Sequence, residues 1–435
     1  MASCSDDCDQ LHDSDIYGTP NVIKGSFPEG LLIPDLGDEI TFAPELKDST
    51  GATYSWIING VEVSTDPKYT YNVEGPCRVN LTCKIKNDLG TAVLNSKIVS
   101  QQDFSQGFLF VDDKEVGFYH NETNKAYYNC FQALNYGSKI TPEGTIMATQ
   151  LDDKMYFMIK NSVTNYDHLI ITDPQTLYKL NSINGPANLL CFIPLNERYV
   201  LLSQMTNASL LDIKTNQVTA FSKRLPSSIL SGQVFNGKLF INTTYGNPDN
   251  ICVYNVDEII EAAGKEFPEP EEFAITQRGK SKFALGKDGN LYTTAYHEEK
   301  NVLVKIKPDL TTELIDLPFD LPKPRWSELY FRGVVASVKS NSIFIPADNG
   351  AIYRYTIGDD ASVRIPFITS DENMELCGIG IEENSATGEL YTFYQGETAN
   401  GGKAGSIIIR KADGTVKKVL NTGEVISKTA IFVNK

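Results

Sequence analysis

Histidine, tryptophan, cysteine and long apolar runs are all scarce in this chain, and each scarcity removes a class of function. Two tryptophans and four histidines (His12, His120, His168 and His297) are spread over 435 residues. With no paired-His spacing and no Cys-x-x-Cys, no structural metal is expected, and the histidines read as ordinary surface or packed residues. Eight cysteines are too few and too scattered for a disulfide framework. Cys77 and Cys83 would share one face of one strand, about 20 Å apart at ~3.3 Å per residue, whereas a bridge spans ~6 Å. They read as buried small hydrophobes. No segment approaches the ~20 apolar residues of a membrane span. Cations are the minority charge, 39 Lys and Arg against 55 Asp and Glu. The net charge of −16 argues against nucleic acid or an anionic membrane as partner. Gly-x-Ser-x-Gly and Ser-x-Asp-x-Gly-x-x-Trp are missing as well, so no catalytic residue is assigned and no cofactor is expected.

What the chain does contain is a recurring phrase. Asp153-Lys154-Met155-Tyr156-Phe157-Met158 is echoed at Gly237 to Ile241, Gly289 to Thr293, Asn341 to Ile345 and Gly388 to Thr392, and more weakly at Glu197 to Leu201. Each is a turn dipeptide opening a short apolar strand, and the 40 to 50 residue recurrence is that of β-propeller blades. A second register accompanies it: Ala148, Gly232, Ala284 and Ala336 each stand seven positions before the apolar residue that opens the phrase. Small residues suit innermost strands, which converge on a propeller axis. A further strand, a polar turn and another strand follow each phrase, giving four strands per unit.

Residues 103–435 therefore read as a seven-bladed propeller. Its first unit runs through Gly107 to Val111 and Val116 to His120, with a last strand over Ala126 to Phe131. That unit lacks an innermost strand, and Thr429 to Val433 is a strand without a unit, so the carboxyl end is expected to close the ring. One departure is a short helix over Asn255 to Gly264, which has an Asn cap, an acidic first turn and a terminal Gly. The acidic pairs Asp112-Asp113, Asp152-Asp153 and Asp359-Asp360 are expected to make turns, not calcium sites.

Residues 17–102 read as an immunoglobulin-like β-sandwich. Between Cys77 and Lys86 the alternation is strict, with Cys77, Val79, Leu81, Cys83 and Ile85 on one face. Tyr54-x-Trp56 with Asn59-Gly60, then Tyr69, Tyr71, Gly75 and Asn87-Asp88-x-Gly90, resembles the PKD-type (polycystic-kidney-disease-type) domain. That resemblance implies a spacer with Trp56 in its core. Pro76-Cys77 stands where that family commonly has an aromatic residue.

Met1-Ala2-Ser3-Cys4 resembles the end of a bacterial lipoprotein signal, with Cys4 as the acylated residue. The charged and apolar parts of such a signal are missing, so the true start would lie upstream or the chain was trimmed. The acidic stretch that follows, Asp6, Asp7, Asp9, Asp13 and Asp15, resembles the surface-export signal of Bacteroidetes-type lipoproteins, so residues 1–16 are expected to form a solvated tether. Acidic tail, PKD-like domain and a Gly-Phe-x-Phe-Val propeller opening together resemble a type of Bacteroidetes lipoprotein often encoded beside outer-membrane nutrient-import systems. The resemblance implies a non-catalytic protein, lipid-anchored at the outer membrane and facing the cell surface or the periplasm. Its implied ligand is a glycan or peptide, and components of the transporter are its further partners. A propeller hydrolase or lyase and a protein-interaction scaffold are the alternatives. Within the propeller, Trp326 with Arg325 and Tyr330, on a Pro-rich inter-blade connection, is the candidate ligand contact, open against a Trp wedged between blades. Tyr245, Tyr296 and Tyr394 are expected at one rim of the ring.

Overall fold

The computed structural model describes residues 16–433, apart from 18, 113–114, 141–144, 161–167, 186–188, 205–206, 224, 226–227, 245–250, 272–277, 280, 323–331, 371–373 and 399. Nearly all of the described secondary structure is β-strand. Two units follow one another along the chain.

The first is a sandwich. One sheet has the order Gly30–Leu32, Gly90–Ser100, Cys77–Asn87, Thr53–Ile58 and Val61–Ser64, and faces a two-stranded antiparallel sheet of Glu39–Phe42 with Tyr69–Asn72. The alternation between Cys77 and Lys86 is realised as expected: the odd positions are buried and the even ones reach solvent. Cys77 and Cys83 are both free thiols in that buried row. Trp56 is fully buried, stacked on Tyr69 and ringed by Phe27 and Phe42, and its indole N–H donates to the Asp66 carbonyl at 2.7 Å. It is a core residue, as the PKD resemblance implied.

The second unit is a closed ring of seven sheets. Blade 1 consists of Thr429–Ile431, Gly107–Val111, Val116–His120 and Lys125–Tyr127, from the axis outward. Leu109, Phe110 and Val111 pair with Ile431, Ala430 and Thr429. The chain's last strand thus hydrogen-bonds to the propeller's first, and the ring has no open edge. Blades 2 to 7 begin at the axis with Thr145–Leu151, Leu189–Pro194, Ser228–Phe235, Arg278–Gly279 with Ala284–Leu285, Val335–Ala336 and Met374–Glu383.

The recurring phrase is the second strand of each blade, one place out from the axis. It is apolar on both faces because both faces are covered. In blade 4, Leu239 and Ile241 pack towards blade 3 while Phe240 packs towards blade 5. In blade 2, Met155, Phe157 and Ile159 pack on blade 1, and Tyr156 and Met158 turn the other way. The small-residue register lies on the innermost strands, opposite the phrase: Ala148 faces Phe157, Gly232 faces Ile241, Ala284 faces Tyr292 and Ala336 faces Ile343. Convergence makes Gly232 tight, since a Cβ there would sit 2.7 Å from Ile193 Cδ1.

Two expectations need correction. The outer strand of blade 1 stops at Tyr127, and a short helix, Cys130–Leu134, takes over where the sequence suggested strand to Phe131. Cys130, Phe131 and Leu134 bury a helical face against blade 2, so tertiary packing overrides a β-like composition. Blade 4 is not a complete unit among the described residues. Its sheet has three strands with one further bridge, Val253 to Glu271, and the expected helix (Val256–Glu261, capped by Asn255) follows the third strand, burying Val256 and Ile259 in the core shared with blade 3.

The sandwich rests on blades 1 and 2. Arg78 is held between the rings of Tyr136 and Tyr178, 4.5 and 4.4 Å from their centroids, and Gln101 donates to the Tyr178 hydroxyl. Gly75 lies against Tyr127 of blade 1, where a Cβ would approach the ring to 3.1 Å.

Candidate functional site

Convergence of the innermost strands leaves a cavity on the propeller axis, of about 560 Å³, within the ~300–1,000 Å³ usual for small-molecule sites. Thr149 and Gln150 of blade 2 supply polar wall, as does Thr429 of the closing strand; Phe192, Ile379 and Phe432 supply apolar wall. Beside Asp152, the lining holds two ionisable side chains of opposite sign, Lys282 from blade 5 and Glu382 from blade 7.

Lys282 lies within an interruption of an innermost strand, and Glu382 just beyond one. In blade 5 the strand is split into Arg278–Gly279 and Ala284–Leu285. The residues between are pinned by a buried polar cluster: Asn242 Nδ2 donates to the Ser281 carbonyl (2.5 Å) and to Thr293 Oγ1 (2.9 Å), and Ser231 Oγ donates to the same carbonyl (3.0 Å). Thr294 N–H donates in turn to Ser281 Oγ. Gly333 of blade 6 backs the Lys282 backbone, where a Cβ would lie 2.9 Å from its nitrogen. In blade 7 the ladder jumps between Leu376 and Ile381. Gly378, with φ of 57°, lets the bulge reach the closing strand; Ile379 N–H donates to the Lys428 carbonyl at 3.0 Å. A Cβ on Gly378 would stand 2.1 Å from that oxygen. The next two acids then part. Glu383 is taken up by blade 6, accepting from Ser337 Oγ and Val338 N–H, while Glu382 turns to the cavity.

Lys282 and Glu382 keep only part of their surface, and that part faces the channel, so protein surrounds them on most sides. Burial pushes the Glu382 carboxyl up to about 7, with the Lys282 charge opposing it only in part. Burial likewise lowers Lys282, against the opposing fields of Glu382 and Cys191. The two feel each other's charge yet make no ion pair among the described residues.

A test follows from the direction of the Glu382 shift. The folded chain holds this proton more tightly than the unfolded chain does. The carboxyl therefore favours folding at low pH, and that contribution is lost as pH rises from about 4.5 to about 7. Glu382→Gln removes the dependence. It is expected to stabilise the chain by about 1–3 kcal/mol at pH 8 and hardly at all at pH 5, with Lys282 and Asp152 the other charged groups lining the cavity. Equal shifts in melting temperature at the two pH values would refute this account.

Trp326, Arg325, Tyr330, Tyr245 and Cys4 lie outside the described residues. The expected tyrosine rim does not form as drawn, because Tyr394 is buried in the core between blades 6 and 7 and Tyr296 is exposed. His120 lies beside Phe118 on the third strand of blade 1. His168 is buried at the foot of the third strand of blade 2, and His297 ends the second strand of blade 5 beside Glu298. None of the three lines the cavity. One member of each acidic pair serves a turn: Asp152 occupies a left-handed hairpin position, Asp112 accepts from Glu115 N–H, and Asp359 caps the 3-10 helix Asp360–Arg364, while Asp113 lies outside the described residues. Among the described residues no group of three or more His, Cys, Asp or Glu could hold a metal. Lys282 and Glu382 did leave a trace in the sequence. Lys282 stands two residues before Ala284, so the small-residue register already placed a charge on an innermost strand.

Fold and cavity define a PKD-like sandwich joined to a seven-bladed propeller with an axial chamber. The chain belongs to the DUF5074 family, a domain of unknown function that matches residues 106–425, and a PKD-like domain matches residues 20–87. It is 33% identical to a quinonprotein alcohol dehydrogenase-like protein from Bacteroides thetaiotaomicron VPI-5482, with a TM-score of 0.87 over 95% of this chain and 98% of that one. More distant likenesses include a protein of unknown function from Bacteroides caccae (12% identity, TM-score 0.36, 61% of this chain and 95% of that one). Virginiamycin B lyase from Staphylococcus aureus is similarly remote (12%, 0.35, 64% and 94%). At such values neither bears on function. No curated protein matches the chain.

Proposed function

We propose that this chain is a non-catalytic capture protein, tethered by a lipid on Cys4 to the outer membrane. There it would hold a glycan or peptide in the axial cavity and pass it to components of a nutrient-import system. The observation that carries the reading is the cavity itself, a chamber of ligand size with polar and apolar walls and two fixed charges. Among the described residues no helix is long and apolar enough to cross a membrane, so any attachment through helical structure there would have to be peripheral. The anchor is tested by detergent phase partition of the protein from its native cell envelope. Cys4→Ala is expected to move it from the detergent phase to the aqueous phase, and a wild-type protein found in the aqueous phase rejects the anchor.

Binding is tested by titrating the full chain against a panel of polysaccharides and peptides, with Trp326→Ala alongside. Saturable binding to one class without turnover is the expected result. Loss of that binding in Trp326→Ala would move the site to the connection between blades 5 and 6. One observation favours the hydrolase or lyase alternative: a carboxyl held near neutrality beside a lysine is suited to proton transfer. Turnover of a panel member, abolished by Glu382→Gln, would establish that alternative.

A further inference from the structure

We infer that the axial cavity selects a zwitterion, the free termini of a short peptide, with the ligand's carboxylate at Lys282 and its ammonium at Glu382. The inference rests on the capture reading and decides between its two ligand classes.

Its first ground is the arrangement of charge. Two opposite charges in a confined chamber ordinarily close on each other, because contact recovers part of what desolvation costs. Lys282 and Glu382 do not, and the backbone at each is fixed from outside the cavity, by the Ser281 cluster on one side and the Gly378 bulge on the other. Opposite charges that line one cavity without pairing complement a dipolar molecule. A lone anion would meet Glu382 and Asp152 in the same lining, and a lone cation would meet Lys282. A neutral sugar would leave both charges desolvated and unmatched.

The second ground is the wall. Residues of the innermost strand of blade 2, Ala148 to Gln150, form part of that wall. Thr149 and Gln150 offer polar groups, and Ile379 with Phe432 offers apolar surface for small side chains. The chain's net charge of −16 adds to this, since a zwitterion carries no net charge to be repelled.

The probe is trialanine, titrated calorimetrically into the full chain at pH 8 beside N-acetyl-trialanine, trialanine amide and maltohexaose. Trialanine is expected to bind, and either cap is expected to weaken it at least 10-fold. Lys282→Met and Glu382→Gln are expected to weaken trialanine to a similar degree. Each variant should also be insensitive to its matching cap: Glu382→Gln to acetylation, Lys282→Met to amidation. The caps act on unaltered protein, so a variant that fails to fold does not remove the test. Capped peptides that bind as well as trialanine overturn the inference, as does no trialanine binding at millimolar concentration. Maltohexaose binding that both variants retain overturns the zwitterion inference and leaves the capture reading standing. Absence of binding by the whole panel overturns both.

Discussion

A chain ending at Lys428 is expected to lose the propeller as a whole and not a single strand of it. Residues 429–431 supply the innermost strand of blade 1, and their partners Leu109 to Val111 would become an exposed, wholly buried-type edge. Beyond the ladder, Ala430 belongs to the core shared by blades 7, 1 and 2. Phe432 packs on Phe108 and Tyr391 at ring separations of 6.3 and 4.9 Å, and Val433 joins the core between blades 1 and 2. Blade 7 loses its tie as well, because Ile379 N–H donates to the Lys428 carbonyl at what would become a frayed end. In a ring every blade is held from two sides, so opening one joint exposes two apolar faces at once. The removed burial amounts to several kcal/mol at about 25 cal/mol per Å², comparable with the ~5–15 kcal/mol by which a typical domain is stable. Far-UV circular dichroism and size exclusion of the truncated chain check this. A monomer with the wild-type melting temperature would mean that the closing strand is dispensable.

Trp56→Ala is expected to have the second largest effect, and to confine it to the sandwich. Trp56 fills the space between the two sheets, touching Phe27, Phe42 and Tyr69, and its removal leaves the Asp66 carbonyl without the indole donor. Substitutions of this kind cost about 3–5 kcal/mol through lost transfer energy and the cavity left behind. For a unit of ~80 residues that corresponds to a fall in melting temperature of roughly 15–30 °C. Trp56→Phe keeps most of the volume and should fall by much less. Ligand binding in the axial cavity should survive both changes at temperatures where the propeller is folded. A melting shift of under ~5 °C for Trp56→Ala would show that the sheets repack without it.

The sequence carried most of the architecture because the architecture is repetitive. Each phrase strand announces itself by being apolar on both faces, which a blade's second strand must be, and the small residues seven places earlier mark the strand nearest the axis. The terminal strand without a unit and the first unit without an inner strand could be matched by counting. Blade 4 was less legible because a helix follows its third strand, and nothing in the local pattern says that Val256 and Ile259 bury in a core shared with blade 3. Blade 1 misled because Cys130 and Phe131 are compatible with strand, and only burial against blade 2 makes them helical.

The site was a different matter. Reasoning from sequence favours residues with conspicuous chemistry, and so it singled out Trp326, Arg325 and Tyr330, which lie outside the described residues, and a rim of Tyr245, Tyr296 and Tyr394, of which Tyr394 is core. Sequence by itself determined which strands approach the axis, since side-chain alternation, turn residues and residue size are local properties. The meeting of Lys282 with Glu382 was decided only by ring closure. They are a hundred residues apart, on blades 5 and 7, Lys282 within a break in strand pairing and Glu382 just after a bulge, and both irregularities depend on neighbours in other blades. Where a side chain at a bulge points is set by what pins the bulge: here the Asn242–Ser281 contact on one side and the Lys428 carbonyl on the other. Those contacts exist only once the seven blades have closed.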